Sequence, residues 1–106
     1  MLILEHGRRV AGAAVMLWRK NSPTARLYDI VVEPQFQGRG FGSRLLRACE
    51  TEAVGRGYTA ISLEVRTSNR RAVALYRNHG YDIAESLPGY YDGGASGLRM
   101  VKKLLK

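Results

Sequence analysis

The chain has 106 residues, 45% hydrophobic and 25% charged, and its 17 Lys and Arg against 9 Asp and Glu give a net charge of +8. That length holds one domain over 1–106 and one core, which excludes multidomain enzymes, long solenoids and disordered tails. A single cysteine, Cys49, excludes an internal disulfide, and together with only His6 and His79 it cannot build a zinc site, so a metal-free protein of a reducing, cytoplasmic compartment is expected.

In chain order, Leu2–His6 runs into Gly7-Arg8 and then into the apolar stretch Arg9–Trp18, a pattern that predicts a hairpin around a glycine turn. The stretch from Val10 to Trp18 is too short to span a bilayer, and no charged segment precedes it as in a secretory leader. Asn21-Ser22-Pro23 breaks the chain, and the β-branched, aromatic run Leu27–Val32 predicts a third strand, completing an antiparallel meander. Phe41, Leu45, Ala48, Cys49 and Ala53 recur at helical spacing before Gly55 and Gly57, so a helix over roughly 41–55 is expected. Tyr58–Val65 reads as a buried central strand. Ser68 and Asn69 then offer caps for a second helix with Ala72, Leu75, Tyr76 and His79 facing inward and Gly80 as its stop. Tyr81–Leu87 and Leu98–Leu104 predict two last strands around a turn-rich loop, Pro88–Gly97. The order βββ-α-β-α-ββ implies an α/β (α+β) fold, a mixed sheet with helices joining neighbouring strands.

The basic excess is concentrated in residues 36–77, which carry eight cations against three anions, spread singly rather than in runs. Within that segment lies Gln37-Gly38-Arg39-Gly40-Phe41-Gly42, between the third strand and the first helix. Glycines there let the backbone curl so that unpaired N–H groups of the first helical turn converge, an arrangement suited to phosphate. The pattern is not the dinucleotide fingerprint, because Ser43 stands where that needs glycine, and no Gly-Lys-Ser/Thr follows as in a P-loop. What remains is a phosphate cradle of another kind, with the cations at 39, 44, 66 and 70 around it.

Followed by Leu45-Leu46, this loop resembles the acetyl-CoA-binding motif Q/R-x-x-G-x-G/A of the GNAT N-acetyltransferase superfamily. Leu63-Glu64-Val65-Arg66-Thr67-Ser68-Asn69, then Ala72 to Tyr76 and Gly80-Tyr81, is similar to a second run common in that family, in particular its ribosomal-protein-alanine N-acetyltransferase branch. Tyr90-Tyr91-Asp92-Gly93 with Met100 resembles the same branch's ending, although Asp92 here directly follows the tyrosines. Family members normally begin with one strand and two helices ahead of the hairpin, elements that form one wall of the acceptor cleft and are absent from this sequence.

The resemblance implies acetyl-CoA as co-substrate and direct transfer of its acetyl group to an amine, most plainly a protein N-terminal α-amino group. It places the pyrophosphate on the backbone of Gln37, Gly38, Arg39, Gly40, Phe41 and Gly42 with Ser43. It places the pantetheine arm along Ile30, Val31 and Val32, one N–H facing the thioester carbonyl, with Asn69 bonding the same arm. Tyr76 is implied as the acid that serves the departing thiolate, and Glu64 as the base, directly or through water, its pKa raised by burial; a salt bridge from Glu64 to a nearby arginine is the structural alternative. Tyr90 and Tyr91 are implied acceptor contacts. Trp18, His79 and Cys49 read as structural, as hairpin core, helix-end cation and buried small residue. An alternative is a truncated acetyl-CoA-binding module with weak or no activity of its own. A nucleic-acid module would need interleaved surface aromatics or a recognition helix, which the sequence lacks, and no membrane partner is implied. An uncovered sheet edge predicts a homodimer in which a second chain supplies the missing wall.

Overall fold

The computed structural model describes residues 1–104; the last two residues of the expected domain lie outside the described span. Six strands form one sheet in the order β1-β2-β3-β4-β6-β5, where β1 is Leu2–His6, β2 Arg9–Leu17, β3 Thr24–Val32, β4 Ala60–Arg66, β5 Asp82–Leu87 and β6 Gly97–Lys103. Two helices, α1 over Phe41–Gly55 and α2 over Arg70–Asn78, complete the expected order. Four of the five strand pairings are antiparallel, and β3 with β4 is the parallel one.

Helix α1 joins the adjacent strands β3 and β4, as expected. Helix α2 does not join neighbours, because β6 folds back from β5 and inserts between β4 and β5, pairing antiparallel with both. The β5–β6 turn thereby buries β6 centrally and leaves β5 as an exposed edge, with only Leu87 of that strand buried.

α1 buries Phe41, Leu45, Leu46, Cys49 and Ala53. Leu46 thus takes the inward place expected of Ala48, which is exposed: residues 45, 46, 49 and 53 form a slightly wider stripe than the strict spacing suggested. Leu45, Leu46, Cys49 and Ala53 pack against Ala14, Met16, Ala25, Leu27, Ile61, Leu63 and Met100 from the sheet, and Phe41 packs with Ala11 and Phe36. α2 begins where Asn69 caps it, its side-chain oxygen accepting the Ala72 N–H at 3.2 Å, and it buries Tyr76. Trp18 lies just past β2, half-buried against Tyr58 with the Arg56 guanidinium 4.3 Å over its ring. Cys49 is fully buried, and that burial pushes its thiol up to about 11, so it is chemically quiet as expected. Among the described residues no helix is long and apolar enough to cross a membrane.

Candidate active site

The feature that makes a site is the seam between β3 and β4. Their parallel register covers only four pairs, from Thr24↔Ala60 to Leu27↔Leu63. Beyond it β3 stays paired with β2 as far as Val32, and β4 stays paired with β6 as far as Arg66. The two half-sheets therefore part, and the facing strand edges are left without each other's hydrogen bonds. A bulge on β3, where Val15 pairs with Asp29 and Met16 with Leu27, leaves Tyr28 unmatched at the point of divergence and adds local twist. A cleft of about 520 Å³ occupies the opening, lined by residues of β3, β4, the glycine loop and the first turns of α1 and α2.

The floor of one end is the start of α1. Gly38 and Gly40 adopt φ of 79° and 81°, in the left-handed region that side chains disfavour, and this turns the loop under the helix. Gly40 is the N-cap without a capping side chain, no acidic residue lies in the first turn, and the first helical bond is Arg44 N–H to the Gly40 carbonyl. The N–H groups of Phe41, Gly42 and Ser43 are thus left over, at the positive end of the helix dipole. A Cβ on Gly42 would meet Leu75 at 3.5 Å, so α2 closes down on this turn. Gln37 bridges the loop to its neighbours: its Nε2 donates to the Val32 carbonyl at 3.1 Å and its Oε1 accepts from Arg71 at 3.1 Å.

The cations differ from expectation. Arg39 stands over the Phe36 ring and Arg44 over Phe41, and neither lines the cleft, nor does Arg70. Arg66 and Arg71 do. Arg70 and Arg71 are successive residues of one helical turn, about 100° apart around the axis, so the choice between them depends on how α2 is rotated against the sheet. Arg71 was therefore missed, as were Tyr28, Asp29 and Phe36, whose places in the lining follow from the seam.

Of the expected ligands, Ile30, Val32, Gln37, Gly38, Gly40, Phe41, Gly42, Ser43 and Asn69 line the cleft. Val31 does not; its side chain is 55% exposed, as alternation along a strand requires. The Ile30 N–H is already engaged by the Asp29 carboxylate at 2.9 Å, so an incoming oxygen would have to exchange with it. Asn69 spends its side-chain oxygen on the cap and keeps its amide N–H groups for a ligand.

Tyr76 lines the cleft, 6% exposed, its ring 5.8 Å from that of Tyr81. Among the described residues its hydroxyl makes no hydrogen bond. Burial, with the Asp29 and Cys49 charges adding, pushes this phenol up to about 12. Glu64 reverses its expectation. Burial alone would raise its pKa, but bonds from Tyr90 and Arg99 and the charges of Arg26 and Arg99 outweigh it and hold the carboxyl below its usual value. Glu64 Oε1 accepts from Arg26 at 2.7 Å and from the Tyr90 hydroxyl at 2.7 Å, and Oε2 accepts from Arg99 at 2.8 Å. Its partners are 26 to 38 residues away, beyond the reach of local sequence patterns. Arg99 also pairs with Glu85.

Tyr91 lines the cleft and Tyr90 lies outside its lining, fastened to Glu64. Tyr91 is clamped: the Arg66 guanidinium sits 4.4 Å from its ring centre, and a Cβ on Gly97 would come within 2.7 Å of the ring. Helix N–H groups and Arg71 thus gather at one end of the cleft, while at the other the Glu64 carboxylate is neutralised by Arg26 and Arg99. Such an arrangement suits an extended molecule carrying phosphates at one end.

The model of the acetyltransferase (GNAT) family matches residues 1–81. The chain is similar to the ribosomal protein bS18-alanine N-acetyltransferase of Salmonella typhimurium, 43% identical over 67 residues, 63% of this chain and 45% of that protein. It is 32% identical over 80 residues to an uncharacterized N-acetyltransferase of Methanocaldococcus jannaschii, covering 76% of this chain and 32% of the relative. The chain thus spans less than half the length of these curated relatives. Among solved structures, the ribosomal-protein-S18-alanine N-acetyltransferase of Escherichia coli superposes with a TM-score of 0.86 at 30% identity, covering 98% of this chain and 68% of that one. A Bacillus subtilis acetyltransferase in complex with CoA shares the fold, with a TM-score of 0.85 at 22% identity over 95% of this chain and 74% of that one.

Proposed function

The chain belongs to the GNAT acetyltransferase family, and from that premise we propose that it transfers an acetyl group from acetyl-CoA directly to an amine, most specifically the α-amino group of a protein N-terminus. The observation that carries this reading is the seam between β3 and β4, with leftover helix N–H groups at one end. Its two free strand edges suit the amides of a pantetheine arm. In this reading the leftover N–H groups of α1, Ser43 and Arg71 hold the pyrophosphate. The backbone of Ile30 and Val32 and the Asn69 amide hold the arm.

The amine nitrogen, once neutral, forms its bond to the thioester carbonyl carbon, and the carbon–sulfur bond breaks. The sulfur leaves with the bonding pair, and the amine loses one proton. Tyr76 stands with an unpartnered hydroxyl in the cleft wall and donates a hydrogen bond to the developing thiolate. Glu64, paired with Arg26 and Arg99, holds Tyr90 in place at the acceptor end, while Tyr91 forms the wall beside it. With its carboxyl held low, Glu64 is a weak base, so we assign proton removal from the amine to solvent at the open mouth. The resemblance to a ribosomal-protein N-acetyltransferase favours a peptide N-terminus over a small amine, and with it a cytoplasmic site of action for this chain.

A screen of N-terminal peptides, lysine peptides and small amines with acetyl-CoA, reading released thiol, tests the reading. Thiol release with a peptide α-amine and not with its N-blocked form is the expected result. Binding of acetyl-CoA with no turnover on any amine would instead establish the binding-module alternative. Light scattering across protein concentrations tests the proposed homodimer.

A further inference from the structure

His79 has no part in the reaction as described, yet its Nε2 lies 3.0 Å from the Ser43 hydroxyl oxygen, and Ser43 is one of the residues lining the phosphate end of the cleft. We propose that His79 is a positioning residue for phosphate binding, holding the Ser43 hydroxyl so that its single proton points into the cleft. The inference rests on the acetyl-CoA reading above and extends it to a residue outside the glycine motif.

The argument is one of donor counting. Ser43 has one hydroxyl proton and two acceptor sites. Ser43 is the third residue of α1, so no preceding helical turn offers a carbonyl for that proton. Here the hydroxyl is instead engaged by a side chain from the other helix. When Nε2 carries a proton it donates to Oγ, so the serine's own proton is free for a phosphoryl oxygen. When Nε2 is bare it takes the serine's proton, and Oγ then turns lone pairs toward the cleft, which repels an anion. Phosphate binding therefore selects the Nε2–H form.

The ring is fixed for this task. His79 is the C-cap of α2, its backbone N–H bonded to the Leu75 and Tyr76 carbonyls at 3.2 and 3.1 Å, and Gly80 follows at φ 91° to turn the chain away. His79 lies three residues after Tyr76 on the same helix face. One face of α2 thus presents Tyr76 to the depth of the cleft and His79 to its phosphate end. The imidazole is half-buried, so its bond to Ser43 competes with water only in part.

Calorimetric titration of the full chain with acetyl-CoA and with acetyl-pantetheine, which lacks the pyrophosphate, tests the proposal. His79→Phe should weaken acetyl-CoA binding about tenfold, the scale of one hydrogen bond to a charged group, and leave acetyl-pantetheine binding unchanged. His79→Gln, whose amide places a donor near the Nε2 position, should recover most of the loss. In a Ser43→Ala background, His79→Phe should have no further effect. A purely structural link between α1 and α2 would weaken both ligands equally, and that result overturns the proposal. Should His79→Phe fail to fold, Ser43→Ala and His79→Gln carry the same comparison, and equal loss for both ligands in Ser43→Ala has the same meaning. Wild-type protein that binds acetyl-CoA no more tightly than His79→Phe refutes the His79 role alone, whereas wild-type protein that binds no acetyl-CoA refutes the functional reading and this inference with it.

Discussion

Replacing Tyr76 by Phe removes one oxygen and keeps the ring that packs 5.8 Å from Tyr81. The phenol is pushed up to about 12 by burial and the nearby Asp29 and Cys49 charges, about 3.5 pK units above an ordinary thiol. Full proton transfer from it to a thiolate would then be uphill by about 5 kcal/mol. Tyr76 is consequently better suited to donating a hydrogen bond than to handing over its proton. A hydrogen bond to a charged group contributes about 1.5–3 kcal/mol, so Tyr76→Phe should lower kcat by about 10- to 150-fold at saturating acetyl-CoA. The hydroxyl has no partner among the described residues, so its loss orphans nothing and the melting temperature should move by no more than a few degrees. Stopped-assay turnover with the best peptide from the acceptor screen, alongside a thermal melt, measures both. Because a group near 12 stays protonated throughout the assay range, the wild-type profile should show no falling limb near pH 10 from this residue. A variant with wild-type kcat, or a wild-type limb near pH 10 that Tyr76→Phe abolishes, would refute the reasoning.

Glu64→Gln should leave the neutral-pH limb of kcat/KM in place, since the carboxyl titrates below its ordinary range. Loss of that limb would restore the carboxylate as the base. The same depressed pKa makes the Glu64 contribution to stability present above the unfolded value and lost as pH falls through the folded one. The urea midpoint of wild type should therefore drop more steeply than that of Glu64→Gln between about pH 5 and pH 3. Arg71→Ala removes an exposed cation, so acetyl-CoA binding should weaken only about two- to fivefold at low salt, with the difference shrinking as salt is raised. Gly12→Ala would push a methyl to within 2.6 Å of the Val31 carbonyl and 2.9 Å of Leu45. Such overpacking costs about 1–3 kcal/mol, and the melting temperature should fall by at least about 4 °C.

Elements whose signals are local were readable from the sequence. The glycines around residues 41–55 and the Asn69 cap mark both helices because stop and start chemistry is carried by single residues. The glycine motif and the Tyr76 position fell on the cleft for the same reason. The insertion of β6 between β4 and β5 was not readable, since strand order is settled by pairing between distant segments. For Glu64 the sequence left two fates open, a burial-raised base or an arginine salt bridge, and Arg26 and Arg99 arriving from β3 and β6 decide for the second. The choice of Arg71 over its neighbours likewise depends on helix rotation, which periodicity alone does not set.

The short parallel register has a mechanical consequence. β1, β2 and β3 form one jaw and β4, β6 and β5 the other, and the four pairs from Thr24↔Ala60 to Leu27↔Leu63 act as the hinge pin. A ligand lying along both free edges would supply the rungs the chain itself omits. The apo protein should then breathe at the mouth, with amides near Ile30–Val32 and Glu64–Arg66 exchanging faster than those at the pin, and acetyl-CoA should slow them toward a single cooperative opening.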